Sequence, residues 1–239
     1  MEQKIIYDFG MNNGDDLAYY LKKGTKVVGV EANPELCTLV EKRFADEIQN
    51  GSLIVLNCIL TTENTDHMGT FYIHQNYHVL SQFPRPDNEF IDKFKPIEVS
   101  QRTASSIILE HGHPYFVKID LEHYDQYVLS EIFSNKIKPD FVSVEMHDFV
   151  VYDILKETGY RVFNTVDGET VPVKYNDVQF LDIRGGNCTY SFPYHSAGPF
   201  GSDITQSPWR TRNEMDLYLK NLEPGWIDLH AALQDPGVT

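Results

Sequence analysis

The chain has 239 residues, 41% of them hydrophobic and 23% charged, a balance that builds an ordinary folded core and excludes a disordered chain. Thirty-five acids against 20 bases leave a formal net charge of -15, so the average field repels a polyanion and argues against nucleic acid as a partner. No apolar run approaches the roughly 20 residues of a spanning helix, and Met1, Glu2, Gln3 and Lys4 lead straight into a strand-like segment with no export signal.

Cys37, Cys58 and Cys188 are too scattered for a zinc site or a disulfide framework. The expectation is a cytoplasmic protein with reduced thiols and no membrane partner.

Residues 5–9 and 26–30 are short apolar runs, ended by Gly10 and by Glu31 with Asn33, and read as buried parallel strands. Between them, residues 15–23 place Leu17, Tyr20 and Leu21 at helical spacing, with acids first, lysines last and Gly24 as a stop. Asn33 and Pro34 open a second helix with Leu36, Leu39, Val40, Phe44 and Ile48 on one face as far as Asn50-Gly51. Residues 53–56 make a third strand. From 61 to 100 the pattern loosens, with a strand over 69–73 and then a polar loop through Pro84 and Pro86.

Order returns with a helix over 103–111, a strand over 115–119, a helix over 124–133 and a strand over 141–144. This alternation predicts an α/β, Rossmann-like, doubly wound and mostly parallel sheet with helices on both faces. Strand-like segments follow over 160–164 and 178–183. After Arg184 comes a stretch rich in Gly, Pro and aromatic residues, then amphipathic helices around 213–222 and 226–233. Residues 1–184 are expected to form the domain and 185–239 an aromatic and helical tail.

In an open α/β sheet, ligands sit beyond the carboxyl ends of the strands. Asp8, Gly10, Asn12 and Gly14 fall there after the first strand, Glu31 and Asn33 after the second, and Asn57 and Cys58 after the third. Asp120 and Glu122 follow the fourth, Glu145 and His147 the fifth. Gly10 and Gly14 let backbone pass close to a ligand and turn into a helix whose amides favour a carboxylate. Asp8 can accept from an amino group, and Glu31 can accept both hydroxyls of a ribose. An amino acid joined to a nucleoside describes S-adenosylmethionine. A dinucleotide fits less well, because Gly10-Met11-Asn12-Asn13-Gly14 lacks the second and third glycines of that fingerprint, and a P-loop is excluded by the missing Gly-Lys-Ser/Thr.

These residues resemble the FkbM-type methyltransferases. The resemblance rests on Asp8-Phe9-Gly10-Met11-Asn12-Asn13-Gly14-Asp15, Val30-Glu31-Ala32-Asn33-Pro34 and Val117-Lys118-Ile119-Asp120-Leu121-Glu122, then Val128-Leu129 and Val144-Glu145. It implies an S-adenosylmethionine-dependent O-methyltransferase, with Asp8, Gly10, Asn12, Gly14, Glu31 and Asn33 holding the cofactor and Asp120 and Glu122 on the floor of the active site. Asn57, Cys58 and Asp120 complete the expected cofactor contacts. This chain departs from the family pattern at His123, where Gly is usual, and at Asn13, where an apolar residue is usual.

Methyl transfer to a hydroxyl needs an in-line arrangement and a base. His147 is the first choice for the base and His123 the second, and an alternative has Asp120, Glu145 and His147 holding a divalent cation that polarises the acceptor. The acceptor is expected to be a small molecule or a sugar. The competing reading is a catalytically silent cofactor-binding module, which would not need ionisable residues after the fourth and fifth strands. Tyr190, Phe192, Tyr194, His195, Phe200 and Trp209 read as a lid over the acceptor, or as a tail packed permanently on the domain or on a second copy of the chain.

Overall fold

The computed structural model describes residues 3–63, 65–222 and 225–237; Met1 and Glu2 lie outside them. The first half runs β1 (Ile5–Phe9), α1 (Leu17–Lys23), β2 (Lys26–Glu31), α2 (Pro34–Arg43), α3 (Ala45–Gln49), β3 (Leu53–Asn57), β4 (Ile59–Thr61), β5 (Met68–His74), β6 (Phe94–Thr103), α4 (Ala104–His111) and β7 (Pro114–Ile119). The second runs α5 (Asp125–Ser134), β8 (Phe141–Glu145), α6 (Val150–Glu157), β9 (Val162–Asp167), α7 (Val171–Lys174), β10 (Val178–Leu181), β11 (Asn187–Tyr190), β12 (Arg210–Thr211), α8 (Arg212–Leu219) and β13 (Ile227–Ala232).

Eight strands form the main sheet in the order β12-β9-β13-β8-β7-β1-β2-β3. Pairing is parallel from β3 to β8 and antiparallel where β13 meets β8 and β9. Central strands covered on both faces need apolar residues throughout, and all five residues of β1 are buried. Tyr7 and Phe9 point into one core layer and Ile6 into the other, the period-two alternation of a strand. The expected doubly wound α/β architecture is therefore observed.

Register decides where the site lies. Phe9 pairs with Val30 and with Ile119, and Ile119 pairs with Val144. Gly10, Glu31, Asp120 and Glu145 directly follow those residues, so four loops leave the sheet along one edge.

Local signals account for the first helices. The Asn33 side chain accepts from the Glu35 amide at 3.0 Å and Pro34 stands in the first turn of α2. The single helix expected up to residue 48 is broken at Phe44, which ends α2 and precedes α3.

Two expectations need correction. Residues 94–103, inside the stretch read as loosened, form the long strand β6, which pairs with β5 and β4 in a separate three-stranded sheet; most of β6 is exposed or half-buried, so it carries no apolar alternation to read. Residues 227–232 are a strand and not a helix: β13 sits between β8 and β9 with all six residues buried. Ala231 and Ala232 favour a helix by propensity, and sheet pairing overrides it. The strands β12 and β13 thus pair into the main sheet.

The aromatic stretch packs on the domain. Phe200 stacks on Phe116 with ring centroids 4.0 Å apart, and Phe192 meets Tyr19 of α1 edge-on at 4.9 Å. Ser196 donates its hydroxyl to the Asp16 carboxylate, which also accepts from the Ala197 amide at 3.0 Å. These buried contacts fasten the stretch to α1. Of the six aromatic residues read as a lid or interface, His195 alone lines the cavity described next.

Candidate active site

A cavity of about 430 Å³ opens where the four loops leave the sheet, lined among others by Gly10, Asn12, Glu31, Cys58, Asp120, Glu122, Glu145 and His147. Gly10 has φ +84°, and a Cβ there would fall 1.8 Å from the Asp120 carbonyl oxygen, so only glycine lets the two loops cross. Glu31 ends β2 with its carboxylate between two loops: Oε2 accepts from the Asn12 amide at 3.0 Å and Oε1 from the Asn33 amide at 2.7 Å. It braces the walls while facing the cavity.

Other expected cofactor residues stand behind the wall. The Asn33 side chain is spent on capping α2, and Asn57 Nδ2 donates to the carbonyls of Glu31 and Ala32 at 2.9 and 3.0 Å. At Gly14, φ is +77° and a Cβ would press on Leu17 and Val40, a packing role. Asp8 is buried under the cavity, with Oδ1 3.6 Å from Lys118 Nζ. Cys58 reaches the cavity, but burial pushes its thiol up to about 11, so it contributes shape and not a nucleophile.

The electrostatics are one-sided. Lys118, buried in β7, lies 3.1 Å from Asp120 Oδ2 and donates to the Gly10 carbonyl at 3.3 Å; burial opposes its charge, but Asp120, Asp8, Asp16 and Asp228 outweigh that and hold it cationic. Around this one ammonium stand more carboxyls than it can neutralise. Burial pushes Asp8 and Glu31 up to about 7. Burial, then Asp120 and Glu145, push Glu122 to about 9, and burial with Asp120 takes Asp125 to about 7. Asp228 is fully buried in β13, is pushed well up by burial, and meets no hydrogen-bond donor among the described residues. Such a pocket favours a cation. The residues fit S-adenosylmethionine, whose sulfonium and ammonium would be matched by the excess of carboxyl groups and whose ribose diol would be matched by Glu31.

At the far end His147 lines the cavity, and His123 lies beside it, outside the cavity lining. His147 Nε2 lies 3.0 Å from Glu145 Oε2 and 3.9 Å from Asp125 Oδ2. Burial pulls its imidazolium down, but the close ion pair with Glu145 and the charge of Asp125 outweigh it and raise the ring to about 9. The His123 ring lies 4.1 Å from it, centroid to centroid, and is held below the ordinary histidine value by burial and by the charge of His147. Glu122 and His123 both have left-handed backbone, φ +47° and +74°. Position 123 is where the family pattern has Gly.

Two donor sets converge within 4.8 Å, Glu122 with His123 and His147, and Asp120 with Glu122 and Glu145. Asp120, Glu145 and His147, the trio expected to hold a divalent cation, do not converge as one set among the described residues. Sequence reasoning missed Lys118, although a lysine inside the apolar run Val117-Lys118-Ile119 was a signal. It also missed Asp228, hidden because its segment reads as a helix.

No curated protein matches the sequence significantly. Among solved structures, the chain is similar to a precorrin-8W decarboxylase of Methanobacterium thermoautotrophicum (10% identity, 97% of this chain and 82% of that one, TM-score 0.44). It is also similar to a precorrin-6Y C5,15-methyltransferase of Geobacter metallireducens GS-15 (8%, 98% and 82%, TM-score 0.43) and to a SAM-dependent methyltransferase of Aquifex aeolicus (14%, 70% and 77%, TM-score 0.36). Likenesses this distant carry no argument about activity. The sequence itself is more specific: residues 8–184, most of the chain, match the model of the methyltransferase FkbM domain, and the chain belongs to the FkbM family of S-adenosylmethionine-dependent methyltransferases.

Proposed function

We propose that the chain transfers a methyl group from S-adenosylmethionine to a hydroxyl oxygen of a small-molecule or sugar acceptor, with His123 as general base. The cofactor supplies, when bound, a methyl carbon on a sulfonium that the acceptor oxygen displaces in line. The acceptor loses its hydroxyl proton as the new C–O bond forms, so a side chain at the transfer end must stand unprotonated at neutral pH. The observation that carries the reading is a pair of imidazoles 4.1 Å apart in unlike surroundings: Glu145, 3.0 Å from His147 Nε2, drives that ring toward its cation, while partial burial and that cation drive His123 toward its neutral form.

This reverses the order in which position along the strands ranks the two histidines. A base must accept, and His147 already holds the proton that Glu145 favours. His123 sits on left-handed backbone, which costs about 1–2 kcal/mol for a residue other than glycine, so a side chain kept there supports a role at the site. Glu122 keeps its proton and can donate a hydrogen bond to the acceptor oxygen. Asp120, joined to Lys118, holds the loops of β1 and β7 together beneath the reacting atoms. A silent cofactor-binding module would need no such arrangement.

The test uses cofactor with a ¹³C-labelled methyl, incubated with the protein and a fractionated metabolite extract. A labelled product whose methyl resonance is that of a methoxy group supports the proposal. Label only on nitrogen, carbon or sulfur would overturn O-methylation, and failure of the protein to bind S-adenosylhomocysteine would remove the enzymatic reading.

A further inference from the structure

Beside the cavity runs a second hollow of about 500 Å³, between the excursion that joins β5 to β6 and the start of α5. Leu80 and Glu122 line both, so the two spaces adjoin at those side chains. His123 lines the second hollow and not the first. A molecule lying in the groove therefore reaches the transfer end from the His123 side.

The groove is less acidic than the protein as a whole. Acids outnumber bases 35 to 20 along the chain, yet the groove is lined evenly, by Arg85 and Lys93 against Asp87 and Glu122. Neither cation has a carboxylate partner among the described residues. One Arg85 nitrogen donates to Asn88 Oδ1 at 2.7 Å, leaving its other N–H groups free, and Lys93 Nζ rests 4.9 Å above the Phe90 ring. Two unpaired cations in a chain of charge -15 select an anion. Tyr127 is backed by Tyr124 at 5.0 Å and is about half exposed, presenting an aromatic surface to a ring.

Resting on the methyltransferase reading, we infer that this groove binds the acceptor, and that the acceptor is an acidic saccharide whose carboxylate or phosphate meets Arg85 and Lys93. A sugar ring lies against Tyr127, and the hydroxyl to be methylated passes Leu80 and Glu122 to reach His123. The aromatic stretch after Arg184, fastened to α1, takes no part in holding it.

Calorimetric titrations with digalacturonate, galactose 1-phosphate and neutral galactobiose, each with S-adenosylhomocysteine present, test this on the full chain. At least one acidic sugar should bind about tenfold or more tightly than galactobiose, as expected for charge-assisted contacts, and the stronger of the two names the anionic group. The double variant Arg85→Gln, Lys93→Gln should lose that preference while binding S-adenosylhomocysteine as the wild type does. Tyr127→Ala should weaken acidic and neutral sugars alike. Equal binding of all three sugars, no binding of any, or a preference that survives the double variant overturns the proposal. Loss of S-adenosylhomocysteine binding by the wild type would instead mark failure of the methyltransferase reading.

Discussion

The His123 and His147 rings lie 4.1 Å apart yet are driven in opposite directions, because Glu145 stands 3.0 Å from His147 Nε2 and raises that ring while partial burial and the neighbouring cation lower His123. Replacing His123 by Gly, which suits φ +74°, should lower turnover about 10²-fold or more without weakening S-adenosylhomocysteine binding or lowering the melting temperature. A base works unprotonated, so the wild-type rate should rise with pH through a value below the ordinary 6.5. His147→Ala removes the like charge and should move that limb to higher pH. Wild-type turnover in His123→Gly would remove the base assignment.

Asp8, Glu31 and Asp125 are pushed up to about 7 by burial. A carboxyl whose folded value lies above its unfolded one binds its proton longer in the folded chain, so stability falls as pH rises from about 4 to about 7 and levels off above. The melting temperature of the ligand-free chain should drop across that window. Stabilisation by S-adenosylmethionine should grow across it, since a cation favours the ionised groups. A melting temperature that climbs from pH 4.5 to 7 would contradict the carboxyl-rich pocket.

Glu31→Ala should weaken S-adenosylhomocysteine by roughly 1–3 kcal/mol, the cost of leaving buried polar partners unmatched. The same change frees the Asn12 and Asn33 amides, so the ligand-free protein should also melt earlier. Glu31→Gln can keep an acceptor for one amide but not both, and its losses should fall between wild type and Ala. Undiminished affinity in a folded Glu31→Ala protein would exclude contact with the ribose.

Deleting everything after Arg184 should abolish cooperative unfolding, measured by circular dichroism, rather than yield a folded domain without acceptor turnover. The deletion removes β13, whose loss bares the edges of β8 and β9, and Phe200 from its stack on Phe116. Phe200→Ala alone should cost about 3–5 kcal/mol and leave the relative affinities of acceptor and cofactor unchanged. A truncated chain that still melts cooperatively and binds S-adenosylhomocysteine would reinstate the tail as an appendage.

The strands of the parallel half, the cap at Asn33-Pro34 and the loop glycine at Gly10 are legible in the sequence because each is a local signal: an apolar run, a side chain that bonds two residues on, a backbone turn that needs no Cβ. The strand ends likewise point to Glu31, Asp120, Glu122, Glu145 and His147, all of which the register brings to one cavity. Position along the chain says nothing of what a residue meets across the fold. Asn57 and Asn33 turned out to brace loops, and Lys118 and Asp228 came under the site from the middles of strands, Asp228 in one whose alanines read as a helix.

The sequence by itself determined the α/β alternation and the sheet edge that carries the polar strand-end residues, since these follow from spacing and local preference, while the family came from the likeness of its motifs to the FkbM pattern. Only the tertiary structure decided which way each histidine is driven, that the last strand pairs into the sheet, and that the aromatic stretch packs on the domain. Those outcomes depend on burial and on charges brought together from distant segments, such as Glu145 beside His147 and His147 beside His123, and the field at a ring is a property of the folded arrangement rather than of its neighbours in the chain.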